Sequence, residues 1–253
     1  MKKLKPILFS TSMVESIMNG NKSQTRRICS YQFWSHSAKV DFNINGIHKK
    51  IDKDVTSRYQ IDDILWIREP CDNWGTIIAP FIYKATELKY SDHSWKPSIH
   101  MPFDAARLFL KVTNVRLEKL QEISNEDAIA EGIEPLNMSS TQLIEQGQLY
   151  KNYFTKKRFQ EGLPPFWSFN SLWTKINGCE SWESNPYVFV YEFEVIPTVE
   201  GTCFLCGCTN DNCIRCIEKT GKPCSWANAA RTICTACREE MKRKTNNPSN
   251  QFV

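Results

Sequence analysis

Eight of the eleven cysteines in this 253-residue chain fall between Cys203 and Cys237, in "CFLCGCTNDNCIRCIEKTGKPCSWANAARTICTAC". Three C-x-x-C pairs stand at Cys203/Cys206, Cys213/Cys216 and Cys234/Cys237, with Cys208 and Cys224 between them. Two thiolates at this spacing grip one tetrahedral zinc ion at about 2.3 Å per bond. Eight thiols complete two such sites. The outer pairs, Cys203, Cys206, Cys234 and Cys237, are expected to form one and Cys208, Cys213, Cys216 and Cys224 the other, interleaved pairings being the alternative. A closed four-thiolate site leaves no position for water, so the zinc is expected to be structural. So short a segment has few apolar residues of its own, and metal binding would supply much of its folding energy.

Disulfides are the competing use of the same thiols, and the compartment decides between them. The start, "MKKLKPILFS", carries only a short apolar run after its basic residues, too short for a secretory signal core. No run approaches the roughly 20 apolar residues of a membrane span. A cytoplasmic protein with no membrane partner is expected, and there reduced, metal-bound cysteines are the rule. A hydrophobic content of 41% with 24% charged residues excludes global disorder. The net charge of +4 is compatible with an anionic partner but does not by itself mark nucleic-acid binding.

The cysteine asymmetry marks a boundary where the strand-like "YVFVYEFEVI" gives way to "PTVEGTC". The expected organisation is a main domain over 1–198, a cysteine-rich module over 199–240 and a frayed tail over 241–253. In the main domain, "PILFS", "QTRRIC", "DDILWIRE", "FIYKAT", "RLFLKVTNVRLEKL" and "YVFVYEFEV" read as strands. "TSMVESIMNG" reads as a helix capped by Thr11 or Ser12 and ended by Gly20. "SNEDAIAEGI" reads as another, with Ser124 as cap, Asp127 at the capping-box position and Gly132 at its end. Residues 141–153 and 168–176 are also expected to be helical. Short strands interrupted by a few helices predict an α+β fold, a small mixed β-barrel with packed helices.

One stretch crowds cations behind a glycine turn: "GNKSQTRR", residues 20–27. On a continuous strand Lys22 and Thr25 would face opposite sides, whereas Thr25 and Arg27 share a face. Lys22 must therefore sit in the turn after Gly20 to approach Thr25. A lysine amine beside a hydroxyl is a nucleophile-activating pair once the amine loses its proton. Free lysine titrates near about 10.4, so desolvation or neighbouring cations such as Arg26 and Arg27 must bring it down. A solvated basic turn is the plainer reading of the same residues.

Gly20, Lys22, Thr25 and Arg27 resemble the G-x-K-x-x-[ET]-x-R signature of the ASCH superfamily, a PUA-like β-barrel group associated with RNA and modified nucleosides. "PILFSTSMVESIMNGNKSQTRR", "DDILWIRE", "WKPSIHMP" and "NPYVFVYEFEVI" are similar to the larger ASCH proteins of phages and prophages, over nearly the whole first domain. Within that superfamily the bacterial N4-acetylcytidine amidohydrolases use a lysine, a threonine and a glutamate from an A-x-x-E helix. Lys22, Thr25 and Glu131 of "AIAE" match them. The resemblance implies an amidohydrolase acting on N4-acylated cytosine or cytidine, with no metal needed for the chemistry. Thr25 would attack the acyl carbonyl or position water, and Lys22 would take and return the proton. Glu131 would orient Lys22, serve as the base, or deliver a proton to the leaving amine, although its charge opposes lysine activation. Arg27 would anchor a structural carboxylate or hold the oxyanion.

Arg26, Arg27, Trp74 and His100 complete the candidate substrate contacts. His100 of "SIHMP" is a ligand, a base or a hydrogen-bonded loop histidine. Trp66, Trp74, Trp95, Phe81 and Tyr83 are candidates for stacking on a pyrimidine; Trp74, beside Asn73 and Gly75, is the expected exposed platform. The cysteine module would dock on the barrel or grip nucleic acid through Arg215, Lys219, Lys222 and Arg231, with Asp211 and Glu218 diluting its basic face. The rival functions are a binding module that holds a modified base or RNA without cutting it, and a ribonuclease that sets the same lysine against a phosphodiester.

Overall fold

A computed structural model describes residues 3–29, 57–73, 81–87, 94–154 and 162–246. Its elements run β1 (Leu4–Leu8), α1 (Thr11–Met18), β2 (Gln24–Ile28), β3 (Ile64–Arg68), β4 (Cys71–Asp72), β5 (Ile82–Tyr83) and β6 (Phe109–Lys119). They continue with α2 (Asn125–Ala130), α3 (Ser140–Gln146), α4 (Pro165–Asn177), α5 (Cys179–Glu183), β7 (Tyr187–Val195), α6 (Ile214–Thr220) and α7 (Thr235–Asn246). The chain divides into two compact units. One comprises Met1–Gly20, Ile61–Thr113 and Phe193–Val253, the other Asn21–Gln60 and Asn114–Glu192.

The architecture is mixed α+β, as the alternation of strand and helix signals predicts, but among the described residues the strands do not close into a barrel. The hydrogen-bonded order is β1-β3-β6-β7-β2, with β4 and β5 as a separate ribbon. Among the described residues, β1 and β2 remain the sheet's edges. Pro6 lies in β1 and has no N–H to offer a further strand, which suits it to an edge.

In the first unit β1 lies parallel to β3, and β3 antiparallel to the start of β6. Helix α1 buries Val14 and Ile17, spaced one helical turn apart. Its cap position is Ser10, one residue before the expected Thr11, and makes no side-chain cap bond. Gly20 follows at φ 74°, a left-handed conformation that a residue with a Cβ adopts only under strain.

The cysteine-rich segment belongs to this unit and shares its core. Ile64, Ala106 and Phe109 cluster with Cys203, Cys206, Cys208, Cys216, Ile233, Cys234 and Met241. Phe204 packs on Phe109 with ring centroids 4.8 Å apart, and Arg238 lies over Phe103. The buried Asn228 amide donates to the carbonyl of Ala106 at 2.7 Å while its oxygen accepts from the backbone N–H groups of Thr232 and Ile233. The module is therefore docked on the strand-borne core, and its apolar deficit is met by sheet residues. Of its expected basic contacts, Arg215 donates to the carbonyl of Cys206 and Arg231 to Glu200. Helix α7 continues through Asn246.

In the second unit β2 pairs antiparallel with β7, setting Thr25 opposite Tyr191 and Arg27 opposite Phe189. Helix α4 begins with Pro165 at its first position, where the missing N–H costs nothing, and buries Phe169 and Trp173. These pack with Leu120, Ile123, Ala128, Ile133, Val188 and Val190 into one core. The helix expected over 141–153 covers only Ser140–Gln146; Gly147 at φ 68° ends it, and Tyr150 pairs instead with Pro135 and Leu163.

Replacing Asn228 by Ala strands the backbone groups it serves inside the core. Asn228→Ala is expected to lower unfolding free energy by about 2–3 kcal/mol, read from the urea midpoint at unchanged m value.

Candidate functional site

Lys22 lies outside the continuous strand, two residues before β2, in the turn that opens after Gly20. There it forms an isolated antiparallel bridge with Glu131, and the neighbouring Ser23 N–H donates to the carbonyl of Ala130. Glu131 caps the C-terminal end of α2 just ahead of Gly132, whose φ of 83° releases the chain. Two glycine-ended helices thus deliver the lysine and the glutamate.

The contact is tight and dry. Lys22 Nζ donates to the Glu131 carboxylate at 2.9 Å and to its backbone carbonyl at 2.6 Å. Lys22 is 3% exposed and Glu131 7%. Burial pushes the Lys22 amine down from its ordinary 10.5, against the raising effect of Glu131; Arg27 and Arg26 push in the same direction as burial. Desolvation decides the sign, because a charged ammonium loses its hydration while one carboxylate is shared among several cations.

Arg26 is the chief of those cations. Its side chain is completely buried and donates to Glu131 Oε1 at 3.1 Å, to Glu118 at 2.6 Å and to Asp127 at 2.9 Å, with Phe169 stacked 5.7 Å from its guanidinium. The Nε of Arg26 is buried without a hydrogen-bond partner. Arg116 donates to Glu118, Asp127 and Glu192, and Gln24 Nε2 to the carbonyl of Asp127. Ser124 caps α2 by accepting from the Asp127 N–H at 3.0 Å. The Asp127 carboxylate serves Arg26 and Arg116 in place of the expected capping box. None of Glu118, Arg116 or Gln24 stands out in sequence; only the alternation of Gln24 with Arg26 on one face of β2 hints at a shared polar face.

Thr25 and Arg27 occupy the opposite face, as the strand period predicts. Thr25 is buried, directly across from Tyr191, which stacks on Phe189 and meets Tyr59 edge-on at 5.0 Å. Ser57 donates to the Tyr191 hydroxyl at 2.9 Å. Burial lowers the Arg27 pKa, partly offset by Tyr59, Glu131 and Tyr191 and reinforced by Arg58. The aromatic surroundings of this face are therefore Tyr59, Phe189 and Tyr191. Trp74 lies outside the described residues. His100 sits exposed in a short turn, Ser98–His100, of the first unit, whereas Lys22, Thr25, Arg26, Arg27 and Glu131 all belong to the second.

The cysteines form two tetrads, Cys203/Cys206/Cys234/Cys237 and Cys208/Cys213/Cys216/Cys224. Their sulfur atoms lie within 4.8 Å of one another in each set, so each can hold a metal ion. This is the pairing expected from the outer C-x-x-C pairs. Among the described residues no helix is long and apolar enough to cross a membrane.

No family model and no curated protein sequence matches the chain. Among solved structures it is similar to the ASCH domain from Lactobacillus crispatus JV V101, at 10% identity over 76% of this chain and 79% of that one, with a TM-score of 0.34.

Asp127 links the network to pH. Burial works to raise its pKa, but the Arg116 hydrogen bond and the charges of Arg26 and Arg116 outweigh it, leaving it below 3.8. A carboxylate held down in the folded state stabilises above its unfolded pKa, and that stability is lost as pH falls through the folded value. Acid titration of stability should therefore show a loss beginning near pH 3.8 and continuing below it, and Asp127→Asn should remove that segment of the curve.

Proposed function

We propose that the second unit is an amidohydrolase site for N4-acylated cytosine, cytidine or a related nucleoside, with Lys22, Thr25 and Glu131 as its working groups. The carrying observation is the buried Lys22 amine, pushed below its ordinary pKa while one carboxylate holds it in place. A lysine so disposed gives up its proton more readily than one in an exposed basic turn, which suits it to act as a proton acceptor. The likeness of Gly20, Lys22, Thr25 and Arg27 to the ASCH signature, and of Glu131 to the A-x-x-E position, supports the same reading and supplies the substrate class.

In this mechanism neutral Lys22 takes the proton from the nucleophile, either the Thr25 hydroxyl or a water molecule that it positions. The nucleophile adds to the acyl carbonyl, and the lysine returns the proton to the departing N4 amino group. With water as the nucleophile this frees the carboxylate directly. With Thr25 it leaves a Thr25 ester that a water molecule, deprotonated by Lys22, hydrolyses to the free carboxylate and the regenerated hydroxyl. Glu131 orients Lys22 through the 2.9 Å bond. Arg26 acts as a positioning residue, because its guanidinium holds Glu131, Glu118 and Asp127. Arg27, sharing the Thr25 face, is the cation for the developing oxyanion. Tyr59, Phe189 and Tyr191 form the apolar backing of that face, which excludes water.

The cysteine tetrads are proposed to hold two structural zinc ions. Four thiolates suit a closed tetrahedral site, and a ZnS4 tetrahedron with bonds of about 2.3 Å has edges of about 3.8 Å, within the 4.8 Å spread of each tetrad. When bound, the ions neutralise thiolate charge and fasten the module to the core formed by Ile64, Ala106 and Phe109; the amide cleavage is carried by protein groups.

Incubation with N4-acetylcytidine, followed by chromatography, should yield cytidine and acetate. Lys22→Ala, Thr25→Ala and Glu131→Ala should each lower kcat/KM by about 100-fold or more. The pH profile should rise as Lys22 deprotonates and level off below its ordinary 10.5, since the lowered pKa brings the neutral amine forward. Lys22→Arg, which stays protonated, should be inactive at every pH. Absence of turnover on several N4-acyl substrates, alongside retained nucleoside or RNA binding, would transfer the site to the non-catalytic reading; cleavage of RNA would transfer it to a ribonuclease.

Metal analysis of protein purified without chelator should give two zinc ions per chain. Removing them should lower the apparent Tm by on the order of 10 °C, with recovery on zinc addition. Full retention of Tm in metal-free protein would remove zinc from the folding of the module.

A further inference from the structure

The two tetrads touch. Cys216, a member of the second, lies 3.8 Å from Cys206 and 3.7 Å from Cys234, both members of the first, and Cys206 and Cys234 are themselves 3.8 Å apart. Within its own tetrad Cys216 lies 3.3 Å from Cys208. The triangle Cys206, Cys216, Cys234 therefore has three sides that match the edge of a tetrathiolate zinc site, about 3.8 Å for bonds of about 2.3 Å. One face of a tetrahedron is drawn by thiols from both sets.

We infer that the module holds one dinuclear metal–thiolate cluster in which the Cys216 sulfur bridges both ions. The inference rests on the zinc reading above and deepens it. Two independent sites would set ionised thiolates of different sites at contact distance with no shared cation between them, in a buried core that screens their repulsion weakly. A bridging sulfur removes that conflict, because both cations then lie against the sulfur where the sets meet. The chain supports this placement: Cys216 is buried on α6, whereas Cys213 and Cys224 of the same tetrad lie at the module's partly exposed side. One bridge also changes the ligand count. Two four-coordinate ions joined by one shared sulfur make eight metal–sulfur bonds from seven thiolates, so one thiolate of the first tetrad is surplus to coordination.

The test uses the full chain reconstituted with two equivalents of 113Cd, a thiophilic substitute with a nuclear spin. Two 113Cd resonances in the sulfur-rich region, split by 113Cd–113Cd coupling through the shared sulfur, are expected. Two unsplit resonances at a measured content of two ions would overturn the bridge while leaving the two-zinc reading intact. A chain that binds no zinc or cadmium would overturn both. Cys216→Ser gives a second measure that does not depend on the coupling. It should perturb both resonances, or halve the metal content and shift the remaining one, whereas Cys213→Ser should leave in place the resonance of the ion held by Cys216 and the first tetrad's thiolates. Equal confinement of both variants' effects to one resonance would overturn the bridge.

Discussion

A guanidinium taken wholly out of water organises the second unit. Arg26 has no exposed side-chain surface, and a charge so placed is tolerated only when carboxylates and hydrogen bonds replace its lost hydration. Glu118 from β6, with Asp127 and Glu131 from α2, supply them. Meeting that demand fixes where α2 lies against β2. It also carries Glu131 to the position in which its other oxygen receives Lys22. The geometry at Lys22 is thus a consequence of how Arg26 is neutralised one turn of chain later.

Sharing a carboxylate has an electrostatic result that a simple ion pair would not have. In an isolated lysine–glutamate pair the glutamate would hold the ammonium charged. Here Glu131 is divided between Lys22 and Arg26, and the neighbouring arginines disfavour a further positive charge, so burial prevails. The opposition between Glu131 and lysine activation, which spacing alone leaves open, is decided first by burial, with Arg27 and Arg26 adding to it.

The cysteine module meets a different constraint. Its residues are too polar to build a core, yet the segment contains hydrogen-bonded turns and two helices that must be held together. Metal-competent thiols and sheet residues share the task, with Phe204 on Phe109 and Asn228 on the Ala106 carbonyl joining the two contributions.

The sequence by itself determined what local chemistry can determine. Strand periods placed β1, β2, β3, β6 and β7, the Ser124 cap and Gly132 bracketed α2, and C-x-x-C spacing grouped the eight cysteines into their tetrads. Thr25 and Arg27 on one face, with Lys22 in the preceding turn, followed from period two. Tertiary structure alone decided that the sheet stays open among the described residues, because edge pairing depends on which strands meet. It also recruited Arg116, Glu118 and Gln24 to Arg26 and put Tyr191 across from Thr25, since side chains far apart in sequence become partners only through strand register and helix packing. The sign of the Lys22 shift belongs to the same class: burial is a property of the assembled neighbours, and no single stretch of sequence carries it.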